Sequence, residues 1–300
     1  MENGMRGKAN QPGRSFFVVL LLVACCIGAI HCSRPESGNP VSPTVQVNTV
    51  TRNGYTIQLF PAAEDQLRHA QGWFSDPKEK KAALEVLIQV FPDDKVVRAE
   101  AELELAYIAL GSDYRFATPD ECRSAIDKYH RILKDYAHLP DVSAKANWYI
   151  GWILADLLNE PRKAAVYYQT VVDRYPKATL SLKSPVPWVS LVLPQVEDRP
   201  KAVYQRPIYY WASLALLELV RNSEDADDAL IAFKTLYTDF RGSQATGYAI
   251  RDLLKDRQNL VGQIAPYAKE YLEAKLFTRS MEKEVRELLG RMGTRGRGAE

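Results

Sequence analysis

AKANWYIGWILADLLNEPRKAAVYYQTVVDRYP, residues 144–176, reads as two amphipathic helices laid back to back. In the first, Ile150, Gly151 and Leu154 fall at helical spacing, and Gly151 leaves room for a neighbour to approach closely. Asn159, Glu160 and Pro161 interrupt it, and Pro161 suits the first turn of a new helix. The second helix puts Ala164, Tyr168, Val171, Val172 and Tyr175 on one face and stops at Pro176. One such pair cannot hide its own apolar face, so copies are expected on either side.

They are found in both directions. Laying Pro92 over Pro176 sets Leu84, Leu87, Ile88 and Phe91 against Tyr168, Val171, Val172 and Tyr175. Towards the N-terminus the predicted pairs are 64–75 with 77–91, and 95–110 with 119–136. Asp76-Pro77 and Thr118-Pro119-Asp120-Glu121 supply helix starts, with a cap, a proline at the first position and an acidic residue behind it. Ala125, Tyr129, Ile132 and Leu133 continue the apolar row. Beyond the central pair, residues 177–206 break the pattern, because Pro185, Pro187, Pro194 and Pro200 preclude a long regular helix. Periodicity resumes at 207–221 and 224–240, where Ala229, Phe233 and Leu236 repeat the second-helix signature, and continues at 244–256. Tyr267, Tyr271, Ala274, Phe277, Met281, Val285 and Leu288 form a stripe that predicts one long capping helix over 266–289. The fold class is therefore all-α, an α-solenoid of stacked helix pairs over 61–290, with an insertion at 177–206 and a Gly/Arg tail from 291 expected to be disordered. Before it, 33–60 is a linker whose Ser/Pro-rich start cannot build a core; around Arg52-Asn53-Gly54 it holds either a small hairpin or an ordered coil on the first helices.

Arg6, Lys8 and Arg14 precede an uncharged apolar run, so residues 1–32 read as an export signal or a membrane anchor. Leu22-Val23-Ala24-Cys25 resembles the lipobox of bacterial lipoprotein signals, which implies lipidation at Cys25; Cys32, next to the spacer, is the alternative. The third reading is an uncleaved signal anchor, since Ser15–Cys32 is about the ~18 residues a spanning helix needs at minimum. All three place the remainder outside the cytoplasm. With Cys25 lipidated, the next residue is Cys26 rather than Asp, which implies the outer membrane.

The net charge of +2 on 300 residues argues against a nucleic-acid partner held by bulk charge. Of four cysteines only Cys122 lies in the helical part, so neither a disulfide framework nor a zinc cluster can be assembled, and its thiol is expected to be buried. His69, His130 and His138 are isolated, no phosphate-binding or nucleophile-elbow motif occurs, and Glu100, Glu102 and Glu104 read as the solvated side of a helix. The chain reads as non-enzymatic, with no cofactor and no metal.

The central stretch resembles the tetratricopeptide (TPR) repeat. Its W-x2-L-G-x2-Y…A-x3-F…P pattern appears as Asn147-x2-Ile150-Gly151-x2-Leu154…Ala164-x3-Tyr168…Pro176. With the lipobox and the endings VLIQVFP (86–92) and YYQTVVDRYP (167–176), the chain is similar to envelope TPR lipoproteins, in style the BamD-like components of the outer-membrane β-barrel assembly machine and periplasmic TPR factors that coordinate cell-wall synthesis. The proline-rich insertion departs from the compact BamD pattern. The resemblance implies a groove lined by first helices that takes envelope proteins or peptides. In that register Leu103, Tyr107, Trp148, Trp152 and Tyr209 point into the groove; the other reading packs these rings between repeats. In the insertion, Trp188, Val189 and Leu191 either fold over neighbouring repeats or dock on a partner. A membrane-tethered scaffold is the first functional expectation; the alternative is a TPR lipoprotein holding a small ligand for a solute transporter.

Overall fold

The computed structural model describes residues 48–72, 76–111, 113–179 and 210–295, with side chains as far as 291. Residues 1–47 and 180–209, which take in most of the 177–206 insertion, lie outside it, and with them the lipidation candidates Cys25 and Cys32, the insertion residues Trp188, Val189 and Leu191, and Tyr209.

Of the two readings at 45–60, the hairpin is the one formed. β1 (Thr49–Arg52) pairs antiparallel with β2 (Tyr55–Gln58), and Arg52 faces Tyr55. Asn53 and Gly54 between them have φ of 54° and 84°, the left-handed geometry a tight two-residue hairpin needs. Buried Gln66 ties the hairpin to the first helix, accepting from the Phe60 N–H at 2.8 Å and donating to the Gln58 carbonyl at 3.1 Å. Ile57 packs with Leu84 and Leu87.

Eleven α-helices follow among the described residues: α1 (Ala63–Ala70), α2 (Pro77–Val90), α3 (Lys95–Ile108), α4 (Pro119–Asp135), α5 (Pro140–Trp152), α6 (Pro161–Arg174), α7 (Trp211–Asn222), α8 (Ala226–Asp239), α9 (Gln244–Asp256), α10 (Val261–Glu273) and α11 (Arg279–Arg295). Their starts are set by local chemistry. Asp76, Asp94, Asp225 and Ser243 each accept from a first-turn N–H, and Thr118 with Glu121 completes a reciprocal capping box. Proline opens α2, α4, α5 and α6. Neighbours in sequence pack as pairs, α3 on α4, α5 on α6, α7 on α8 and α9 on α10, while the first helices α3, α5, α7 and α9 also touch one another in succession. This is the stacked, all-α TPR-like solenoid.

Three expectations are corrected. The first helix ends at Ala70 rather than at 75. Helix α5 starts at Pro140, and from Val142 to Gly151 every residue is buried, so it is enclosed rather than amphipathic, wrapped by α3, α4, α6 and α7. The capping helix over 266–289 is two helices, with Pro266 inside α10. Lys275 takes φ 54°, and the Leu276 N–H donates to the Tyr271 carbonyl at 3.1 Å, which ends α10. The stripe reads as continuous because Tyr271, Phe277 and Met281, from both sides of the break, converge on Gly247 of α9. Helix α11 then runs to Arg295, into the stretch expected to be disordered.

The ends of the insertion meet. Thr179 bridges Tyr210, the Trp211 N–H donates to the Ala178 carbonyl at 3.0 Å, and α6 packs directly on α7. Replacing 180–209 by a four-residue Gly/Ser linker should therefore leave the array folded. Shortening the loop adds about 2 kcal/mol from closure entropy, so the melting temperature should hold or rise. Loss of the cooperative helical melt by circular dichroism would show the array depends on the insertion.

Candidate functional site

The first helices place the predicted groove residues unequally. Leu103 on α3 is 1% exposed, and the Tyr129 hydroxyl reaches its carbonyl at 3.5 Å. Trp148 on α5 is buried against Trp211, ring centroids 5.8 Å apart. Leu103 thus packs within its own helix pair and Trp148 between successive pairs. Tyr107 and Trp152, one turn further along, are half-buried and stack at 6.2 Å. Tyr114, from the short 3-10 turn Tyr114–Phe116 after α3, meets Trp152 in a T-shaped contact at 5.3 Å and Tyr107 at 6.2 Å. Phe116 ends that turn 80% exposed. The result is an aromatic shelf of three half-buried rings. Sequence reasoning missed Tyr114, since the connector lies outside the repeat register.

Past Trp152 the helix widens into a π-turn over Ile153–Leu157, and the Leu158 N–H donates to the Ile153 carbonyl at 3.0 Å. Such turns cluster at functional positions. This one presents Asp156, exposed, with the Trp152 indole near enough to favour its carboxylate form. Solvent reaches Asp156, yet the chain around it strips enough water to push its carboxyl up to about 6, with Glu218 adding repulsion and Arg221 opposing. On the next first helices the charges are matched. Arg221 donates to Glu218 at 2.9 Å and to Asp252 at 2.8 Å, and Arg251 holds Asp252 from the other side. Asp156 has no ion pair among the described residues.

Towards the N-terminal side of this row, the acidic residues of α3 are not a solvated face. Glu100 takes a 2.7 Å ion pair from Lys145, whose side chain is 5% exposed, and Glu104 lies between Lys145 at 4.0 Å and Lys80 at 3.1 Å. Burial works against the Lys145 charge, but the two glutamates outweigh it and raise its pKa above the ordinary lysine value. Glu102 accepts from the Tyr136 hydroxyl at 2.9 Å.

Elsewhere the chemistry is sparse. A shallow cleft of about 420 Å³ lies between α4 and α6, lined by Ile126, Leu154 and Tyr167, with Arg123 and Lys163 at its rim already paired to Asp120 and Glu160. Cys122 is buried as expected, and burial pushes its thiol up, away from reactivity. His130 meets the Tyr167 hydroxyl at 3.0 Å, and the His69 ring lies tilted against Phe60, centroids 5.1 Å apart. Among the described residues no group of acidic, His or Cys side chains is placed to hold a metal ion, and no helix is long and apolar enough to cross a membrane.

Comparison with known proteins agrees with the central stretch. The family model described as the tetratricopeptide repeat matches residues 145–178, from α5 through the turn after α6. The central helix pair thus matches a TPR repeat, and the flanking helix pairs stack in the same manner. No curated protein and no solved structure matches the chain.

Proposed function

We propose that this protein is a non-catalytic scaffold that binds a partner protein through its first-helix face and is tethered at the cell envelope. TPR repeats commonly serve protein–protein binding, which supports the coarse reading. The observation that carries the site is the shelf of Tyr107, Tyr114 and Trp152, with Phe116 exposed beside it. Half-buried aromatic rings offer large contact area at small entropy loss, the profile of binding hot spots. The tether rests on the basic, apolar N-terminal run and the lipobox-like Leu22–Cys25; the partner would be an envelope protein, in keeping with the resemblance to envelope TPR lipoproteins.

A photo-crosslinking amino acid at position 114, in cells of the source organism, should trap discrete partners. The same group at Ile231, 64% exposed on α8, should not. Trp152→Ala should reduce the position-114 crosslinks about tenfold, which is the loss of one hot spot worth about 1.4 kcal/mol. Equal crosslinks from both positions would defeat the groove. In the same cells Cys25→Ser should release the protein from the membrane fraction; continued membrane association would defeat lipidation there.

A further inference from the structure

The aromatic shelf and the lone carboxylate stand side by side, and the pairing points to a kind of partner. The step rests on the reading of the first-helix face as a peptide-binding surface. We propose that the corner formed by Tyr114, Trp152 and Asp156 recognises one arginine side chain carried by an extended segment of the partner.

Three observations carry this. The first is charge matching. Glu218, Arg221, Asp252 and Arg251 are linked by ion pairs, and Asp156 beside them has none among the described residues. Among the described residues Asp156 therefore has no counter-ion of its own, which disfavours an anionic ligand and favours a cationic one. The second is the shelf itself. Tryptophan is the best aromatic partner for a cation over its face, and a guanidinium both stacks on the ring and forks onto a carboxylate. Tyr114 meets Trp152 edge-on, so the two rings make a corner rather than a flat stack. The third is backbone geometry: the π-turn begins directly after Trp152 and holds Asp156 four residues on, a spacing that sets ring and charge on the same side of the turn. Lysine fits the charge but not the fork, so it should bind more weakly.

The groups facing Asp156 from packed elements are Glu218 and Arg221 of α7 and the Tyr168 hydroxyl of α6. Tyr168 is pushed far above the neutral range by burial, and Arg221 stays charged, since Glu218 and Asp252 outweigh its loss of hydration. A carboxyl near 6 is about one-tenth ionised at pH 5 and almost fully at pH 7.5. Binding that needs the carboxylate should follow that change.

The test uses the full-length protein in a neutral detergent and reads the Trp152 indole N–H resonance, assigned with Trp152→Phe. The probes are N-acetyl-Ala-Arg-Ala-amide and the same peptide with citrulline, the neutral counterpart of arginine. The arginine peptide should give a saturating shift, with citrulline at least tenfold weaker. The arginine affinity should fall about tenfold from pH 7.5 to pH 5, and both the preference and the pH step should vanish in Asp156→Asn, which also separates Asp156 from Glu218. Equal shifts from the two peptides, or a preference surviving in Asp156→Asn, would overturn the arginine site and leave a peptide groove standing. No shift from either peptide would overturn it as well, while crosslinking from position 114 still decides the broader reading.

Discussion

Lys145→Met should lower the free energy of unfolding by about 3–5 kcal/mol, the usual result of removing one partner from a buried ion pair. Methionine keeps most of the side-chain volume, so the effect isolates charge from packing. What it leaves behind is Glu100, 17% exposed, with its 2.7 Å partner gone, and Glu104 with only Lys80. Lys145→Met combined with Glu100→Gln should recover most of the loss, to within about 1 kcal/mol of the parent, because the orphaned charge and not the missing contact is the main penalty. Urea unfolding followed by circular dichroism measures both. The pH dependence has a definite sign. The folded pKa of Lys145 is raised, so its contribution is fully present below the unfolded value near ~10.4 and is lost as pH climbs through the higher folded one. The gap between parent and Lys145→Met should hold steady from neutral to mildly alkaline pH and narrow only above that range. A single variant within about 1 kcal/mol of the parent would show that water reaches the pair in solution.

The sequence made some of this plain and concealed the rest, for physical reasons. Caps and turns are local, so Asp76-Pro77, the Thr118–Glu121 box and Asn53-Gly54 could be read from a few neighbouring residues, and each appears in the structure. Apolar periodicity found the helix pairs. It did not find the break after Glu273, because residues on both sides of the break pack onto the same glycine of α9 and keep the stripe in phase. Charge placement was hidden for a different reason. Glu100 and Glu104 look solvated on their own helix, and lysines from two other helices, Lys145 and Lys80, turn them into an ion-pair network. A lysine within the largely apolar VSAKANWYIG was the available signal. Of the groove candidates, Tyr107 and Trp152 are half-buried and stacked, whereas Leu103 and Trp148 are buried in the helix packing, a difference their shared register could not show. Asp156 was legible only as a carboxylate within ILADLL, four residues past a tryptophan; the π-turn that exposes it has no sequence pattern of its own.

The contact between Gly151 and Tyr168 is the point where both views coincide, and it sets the second large effect. A Cβ at Gly151 would lie 2.7 Å from the Tyr168 Cε1 and 2.9 Å from two more ring carbons. That ring is fully buried, so it cannot swing aside; α5 and α6 must separate or the ring must leave its rotamer. Overpacking of this kind costs about 1–3 kcal/mol, while alanine regains about 1 kcal/mol of helix propensity over glycine. With the ring held on all sides the upper end applies, so Gly151→Ala should lose about 2 kcal/mol, a fall of roughly 4–8 °C in melting temperature. Gly151→Val, which adds two more methyl groups to the same gap, should prevent the pair from closing. Tyr168 supplies the control. Its hydroxyl is buried with no hydrogen-bond partner among the described residues, so Tyr168→Phe should be neutral or stabilising by up to about 1 kcal/mol. Tyr168→Leu, which removes the ring from under position 151, should be costly in the parent and much less so beside Gly151→Ala. A double-mutant cycle should return a coupling of about 1 kcal/mol or more. Simple additivity would mean the two helices yield easily at their crossing, and the close approach that organises the central repeat would not be what holds it together.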